Sequence, residues 1–163
     1  MLERHLAEDR QMVFISGPCQ VGKTTLSGLF ATSAINWDDS DQRRLILAGE
    51  KATAEFARID QPTGRVPVLV LDEIHHYKGW KNFLKGLFDS YQSRMRILVT
   101  GSARLDVYKR GGDSLMGRYF PYRMHPLSVG ELLHPELKDE EVCAPMPISE
   151  EQWTGLFDIW RVP

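Results

Sequence analysis

Residues 15–26 read "ISGPCQVGKTTL", and this stretch decides the fold. It matches G-x-x-x-x-G-K-[ST], with Gly17, Gly22, Lys23 and Thr24 in the required places. Ahead of it, "MVFI" (Met12–Ile15) is a continuous apolar run of the kind a buried parallel strand shows. Behind it, "KTTLSGLFATSA" carries Leu26, Leu29 and Phe30 at helical spacing. A strand, a glycine loop and a helix in that order form a phosphate cradle. Successive backbone N–H groups wrap the anion while the helix turns its positive end toward it. The cradle is expected to run from Gly17 through Pro18, Cys19, Gln20, Val21 and Gly22 to Lys23, Thr24 and Thr25. Lys23 suits the β- and γ-phosphates of a nucleotide, and the Thr24 hydroxyl suits Mg²⁺.

Working outward, "VLVLDEIHHY" (68–77) is the most strand-like run in the chain and ends on two carboxylates, Asp72 and Glu73. In open α/β sheets, ligands bind at the carboxyl ends of the strands. Asp72 is therefore the candidate for Mg²⁺, through a water, and Glu73 the candidate to polarise an attacking water. A further buried strand, "ILVTGSARL" (97–105), ends in Thr100 and Ser102, either of which suits a polar group that orients water or reads the γ-phosphate. A turn-capping role fits them equally. A basic cluster, Arg104, Lys109, Arg110, Arg118 and Arg123, surrounds the glycine-rich "RGGDSLMG". Arg118 is its candidate for insertion beside transition-state phosphates, while Lys109 and Arg110 read as solvated. His75 and His76 follow the carboxylates, but adjacent residues do not share a helical face. No third ligand stands near them in sequence, so no metal role is expected of them.

The rest of the chain sets these pieces in a frame. The 163 residues suffice for one domain with a core, and 42% hydrophobic with 26% charged residues is ordinary for a soluble protein. A formal net charge of −2 gives no global pull toward nucleic acid or an anionic membrane. Cys19 and Cys143 lack C-x-x-C spacing, which argues against a zinc site or disulfide framework and for a reducing compartment. The charged opening "MLERHLAEDRQ" has no signal-peptide core, and no apolar run approaches the ~18 residues of a membrane span, so a cytoplasmic protein is expected. In "NWDDSD" (36–41), Asp39 or Ser40 caps an expected helix over 41–58 with a stripe of Leu45, Ala48, Ala52 and Phe56. "WKNFLKGLFDSY" (80–91) puts Trp80, Phe83, Leu84, Leu87, Phe88 and Tyr91 on one helical face. "YFPYRMHPL" (119–127) reads as a last strand whose prolines suit an edge, and Ser128 with Glu131 reads as a capping box. The alternation of strands and helices implies an α/β domain with a parallel sheet. Near the end, a helix capped by Ser149 carries Trp153, Leu156, Phe157 and Trp160 on one face. That face needs a partner, so 134–163 is expected to be a linker and the start of a following helical region of a longer protein.

Three further pieces, read with the loop, carry a family resemblance. "NWDD", "VLVLDEIHHYKGWKNFLKGLFD" and "ILVTGSARLDVYKRGGDSLMGRYFPYRMHPLSVGEL" resemble, with "SGPCQVGKTTL", the prokaryotic AAA-type ATPase domain, from about Arg10 to Leu133. The loop alone is shared by many families; the order of "DEIH", "LVTGSARL" and "GRYFPYRMHPLS" is more specific. The resemblance implies a P-loop ATP-binding core over 1–133 with strand order 5-1-4-3-2 and ATP with Mg²⁺ as cofactors. It also implies Walker A at Gly17–Thr24, Walker B at Val68–Glu73, a sensor at Thr100 or Ser102, and a G-R pair at Gly117–Arg118. A C-terminal domain or protein partner and a homo-oligomer belong to the same expectation. Two alternatives stay open: a small-molecule kinase using Asp38 and Asp39 for its acceptor, and a nucleic-acid-associated switch using the basic cluster.

Overall fold

The structure, a computed structural model, describes residues 10–60, 66–102 and 115–128, together with Leu2, His5, Leu6, Glu131 and Leu132. Arg104, Lys109, Arg110, Cys143 and the aromatic segment 149–160 lie outside the described residues. The chain divides into two compact units, Met1–Met124 and His125–Pro163.

Five parallel strands make the sheet of the first unit: β1 Met12–Ser16, β2 Ser33–Asn36, β3 Val68–Asp72, β4 Arg96–Gly101 and β5 Tyr119–Arg123. Their order across the sheet is β2-β3-β4-β1-β5, which read from the other edge is the expected 5-1-4-3-2. All four pairings are parallel, with Val13 beside Leu98 and Phe120, and Asp72 beside Thr100 and Asn36. Every residue of β1 is buried, as an apolar run covered on both faces requires. Pro121 sits in β5 at the edge, where the missing N–H breaks no inner ladder.

Alternate residues of the strands feed two separate cores, so the first unit has three layers. Met12, Phe14, Leu69, Leu71, Ile97 and Val99 face one side, and Val13, Ile15, Val70 and Leu98 face the other. On the first side lies helix α4 (Trp80–Tyr91), whose Trp80, Phe83, Leu84, Leu87 and Phe88 are all buried. Each such side chain contributes about 1.5–3 kcal/mol by leaving water. The second side is covered by residues around α1 (Lys23–Gly28), Leu26 and Phe30 among them, and by Leu6.

The helix expected over 41–58 is two helices, α2 (Ser40–Leu47) and α3 (Glu50–Phe56). Gly49 separates them at φ 100° and ψ 178°, a conformation open to glycine and closed to most side chains. The break resets the helical phase, so the expected stripe is corrected. Ile46, Thr53, Ala54 and Ala57 are buried, whereas Ala48 and Phe56 are exposed. Asp39 is the α2 cap, accepting from the N–H groups of Asp41 and Gln42. In the second unit the Ser128–Glu131 box forms: Ser128 N donates to Glu131 Oε2 at 2.7 Å, and Glu131 N donates to Ser128 Oγ at 3.2 Å.

Candidate functional site

The parallel sheet brings the carboxyl ends of β1, β3 and β4 together, and the polar side chains gather there. Lys23 opens α1, and its ammonium donates to the carbonyls of Gly17 at 3.1 Å and Pro18 at 2.6 Å. The lysine thus lies back against its own loop, and a phosphate oxygen must compete with these two carbonyls for it. Two glycines of the loop are required for different reasons. Gly22 stands at φ 90° as the residue before α1. At Gly17 the φ is unremarkable, but an added Cβ would lie 2.3 Å from the carbonyl oxygen of Met124. That close approach follows from Met124 N donating to Ser16 O at 2.7 Å, which seals the end of β5 onto β1.

Asp72 is the hub. Its side chain is buried, with Thr24 Oγ1 donating to Oδ2 at 3.1 Å and Thr100 Oγ1 donating to Oδ1. Thr100 is fully buried, so its hydroxyl fixes the carboxylate and thereby aims the other oxygen at Thr24. Magnesium takes hard oxygen ligands and usually keeps several of its waters. The Thr24 hydroxyl and, through such a water, the Asp72 carboxylate are donors of that kind. Lys23, Thr24 and Asp72 thus gather at the carboxyl end of this sheet, where ligands of open α/β folds bind.

Glu73 follows in a left-handed conformation, φ 54° and ψ 21°, one of three non-glycine residues with positive φ among the described residues. A glutamate there is strained. Partial burial, and then the negative charge of Asp72, push its carboxyl above the ordinary range. Its backbone N–H donates to Thr100 O at 3.0 Å, and a 3₁₀ turn, Ile74–His76, continues from it.

That turn sets the two histidines beside groups that lie elsewhere in the sequence. His75 Nδ1 lies 3.3 Å from Glu73 Oε2, and its Nε2 lies 3.1 Å from Ser102 Oγ. His76 Nδ1 lies 3.1 Å from Asp38 Oδ1. Glu73, His75 and His76 each place one potential ligand atom within 4.8 Å of the others. The third partner was Glu73 itself, and the E-x-H-H spacing was the available signal. Ser102 is accordingly engaged with His75, and Thr100 with Asp72.

Arg118 is not brought to this site. Met12 N donates to Arg118 O, which places the arginine at the opposite, amino end of the strands from the loop. Its guanidinium reaches Asp89 of α4 with two bonds, at 2.8 and 3.2 Å, and this pairing lowers the Asp89 carboxyl below its usual range. Asp39 is likewise committed: its carboxylate caps α2 and binds the Gln42 amide at 2.9 Å, which removes half of the kinase alternative's acceptor pair. Trp37 beside it stacks on Tyr77 with ring centres 4.9 Å apart.

Comparison with known proteins agrees with the geometry. Residues 9–133 match the family model described as "AAA domain", and the chain belongs to that family. It is an AAA-type P-loop ATPase domain by fold and family. Among solved structures, C. elegans PCH-2 superposes with a TM-score of 0.51 at 13% identity, a likeness of fold alone. The match covers 96% of this chain and 51% of that one, so the chain spans about half the length of its structural neighbour. A search of the curated proteins found no match.

Proposed function

We propose that this domain binds Mg-ATP and hydrolyses it. Gly17–Thr25 wrap the phosphates, Lys23 moves from the loop carbonyls to the β- and γ-phosphate oxygens, and Thr24 with Asp72 holds the metal. Magnesium, when bound, supplies charge neutralisation between the β- and γ-phosphates. Glu73 accepts a proton from the attacking water, and its raised carboxyl keeps it basic enough to do so. Thr100 acts as a positioning residue through Asp72. The carrying observation is the Thr24–Asp72 contact at 3.1 Å, which ties the start of the helix after the loop to the carboxylate at the end of β3.

The core is taken as 1–133, and 134–163 as the start of a region that, with a protein partner or a second copy of the chain, receives the cycle. A nucleic-acid role has its support in Arg104, Lys109 and Arg110, outside the described residues. No helix among the described residues is long and apolar enough to cross a membrane. Cys19 is a free, exposed thiol within the loop, which suits a reducing compartment, and the cytoplasm is our assignment.

Calorimetric titration with ATP tests the proposal. Binding should be saturable with Mg²⁺, weaker in chelator, and lost in Lys23→Ala with the fold retained by circular dichroism. Equal affinity of Lys23→Ala and the parent would overturn it.

A further inference from the structure

We propose that Glu73, His75 and His76 form a site for a transition-metal dication of the zinc type, whose occupation withdraws Glu73 from water activation. The first half stands on the side chains alone. The second half rests on the hydrolytic reading above.

Two imidazoles and one carboxylate are a zinc donor set, three protein ligands with a fourth position open. Imidazole nitrogen selects zinc, cobalt or nickel over magnesium, which prefers the all-oxygen pair Thr24 and Asp72. The backbone builds the cluster. Left-handed Glu73 starts the 3₁₀ turn, and His76 N donates to Glu73 O at 3.1 Å, folding position i+3 back over position i. The His75 Nδ1 to Glu73 Oε2 separation of 3.3 Å equals the edge of a tetrahedron with bonds of about 2.0–2.1 Å. The remaining separations lie within 4.8 Å.

Both histidines already have the outer partners that metal-bound imidazoles require. Ser102 Oγ stands 3.1 Å from His75 Nε2, which leaves Nδ1 directed to the metal. The Asp38 carboxylate, 3.1 Å from His76 Nδ1, orients that ring. Such outer contacts fix ring orientation and strengthen metal binding about 10–100-fold. The His75 side chain is 5% exposed and therefore held in place before any metal arrives. A Glu73 oxygen bound to zinc no longer takes a proton from water, while the phosphate loop and Asp72 stay available for Mg-ATP.

Cobalt titration of the nucleotide-free protein, followed by visible absorption, decides the site. One Co²⁺ per chain is expected, with the intense bands of a tetrahedral nitrogen and oxygen site, displaced by Zn²⁺. His75→Asn and His76→Asn should each weaken binding at least about tenfold, and Lys23→Ala should leave it unchanged. Absence of saturable binding overturns the site. So does undiminished binding in the double histidine variant, or a thiolate charge-transfer band that reports Cys19 instead. Phosphate release then tests the consequence. One equivalent of Zn²⁺ should abolish it in the parent with ATP affinity unchanged, and the double variant should resist. Undisturbed release at full zinc occupancy sinks the consequence. Cobalt binding in a protein that releases no phosphate under any condition supports the site and refutes the hydrolytic reading.

Discussion

Replacing Thr100 by valine isolates the contact that holds Asp72. Valine has the shape of threonine and suits a central strand, so the change opens no cavity and leaves β4 paired with β3 and β1. What disappears is the hydroxyl that donates to Asp72 Oδ1, at a position with no solvent exposure. A hydrogen bond to a charged group contributes about 1.5–3 kcal/mol, and water cannot easily replace it at a carboxylate that is 8% exposed. For a chain of this length each kcal/mol moves the midpoint by roughly 2–4 °C, so Thr100→Val should lower Tm by about 3–12 °C. Thr100→Ser keeps the hydroxyl and sacrifices one methyl, about 0.8 kcal/mol, and should fall less. A double-mutant cycle with Asp72→Asn, followed by urea unfolding, supplies the decisive number. The coupling should exceed the ~0.5 kcal/mol scatter of independent sites. Additive losses, or a valine variant as stable as the parent, would refute the view that Thr100 serves Asp72.

Three other outcomes follow from the geometry. Gly17→Ala places a Cβ against the Met124 carbonyl and should cost about 1–3 kcal/mol by thermal unfolding, whereas Gly28→Ala, with nothing within 4 Å, should cost nothing; equal Tm values would dismiss the close approach. Glu73→Gln should stabilise the fold at neutral pH. A folded-state carboxyl raised above its unfolded value of about 4.3 penalises the folded state increasingly as pH climbs past that value. The gain in Tm should be full at pH 8 and vanish below pH ~4, and a pH-independent difference would show another origin. Arg118→Ala should loosen the β5 start through loss of the Asp89 pair and leave phosphate release by the same domain intact. A collapse of turnover with unchanged Tm would return the arginine to the chemistry.

Legibility in the sequence followed the range of the interaction. The strand–loop–helix over 12–28 was readable because apolar runs and loop glycines are local signals, and the sheet order came with the family resemblance rather than from periodicity. Helix α4 was readable for the same reason: one uninterrupted apolar face. The segment 40–57 was misread because Gly49, a single residue at positive φ, reset the phase of an otherwise helical pattern. In the site, the candidates Lys23, Thr24, Asp72 and Glu73 were read from spacing. Their supports were not, because the contacts of Ser102 with His75 and of Asp38 with His76 join residues 27 and 38 positions apart. Arg118 misled for the converse reason. Its place in the basic cluster suggested insertion beside phosphates, but parallel pairing of β5 with β1 sends it to the far end of the sheet from Gly17.

The most direct test of the account measures ATP affinity and single-turnover phosphate release side by side for the parent and Glu73→Gln. Loss of a general base removes about 10²–10⁴ in rate without touching the phosphate loop. The account predicts affinity within about threefold and release slowed at least about a hundredfold. Release that continues at the parent rate, with ATP bound equally well, would contradict it.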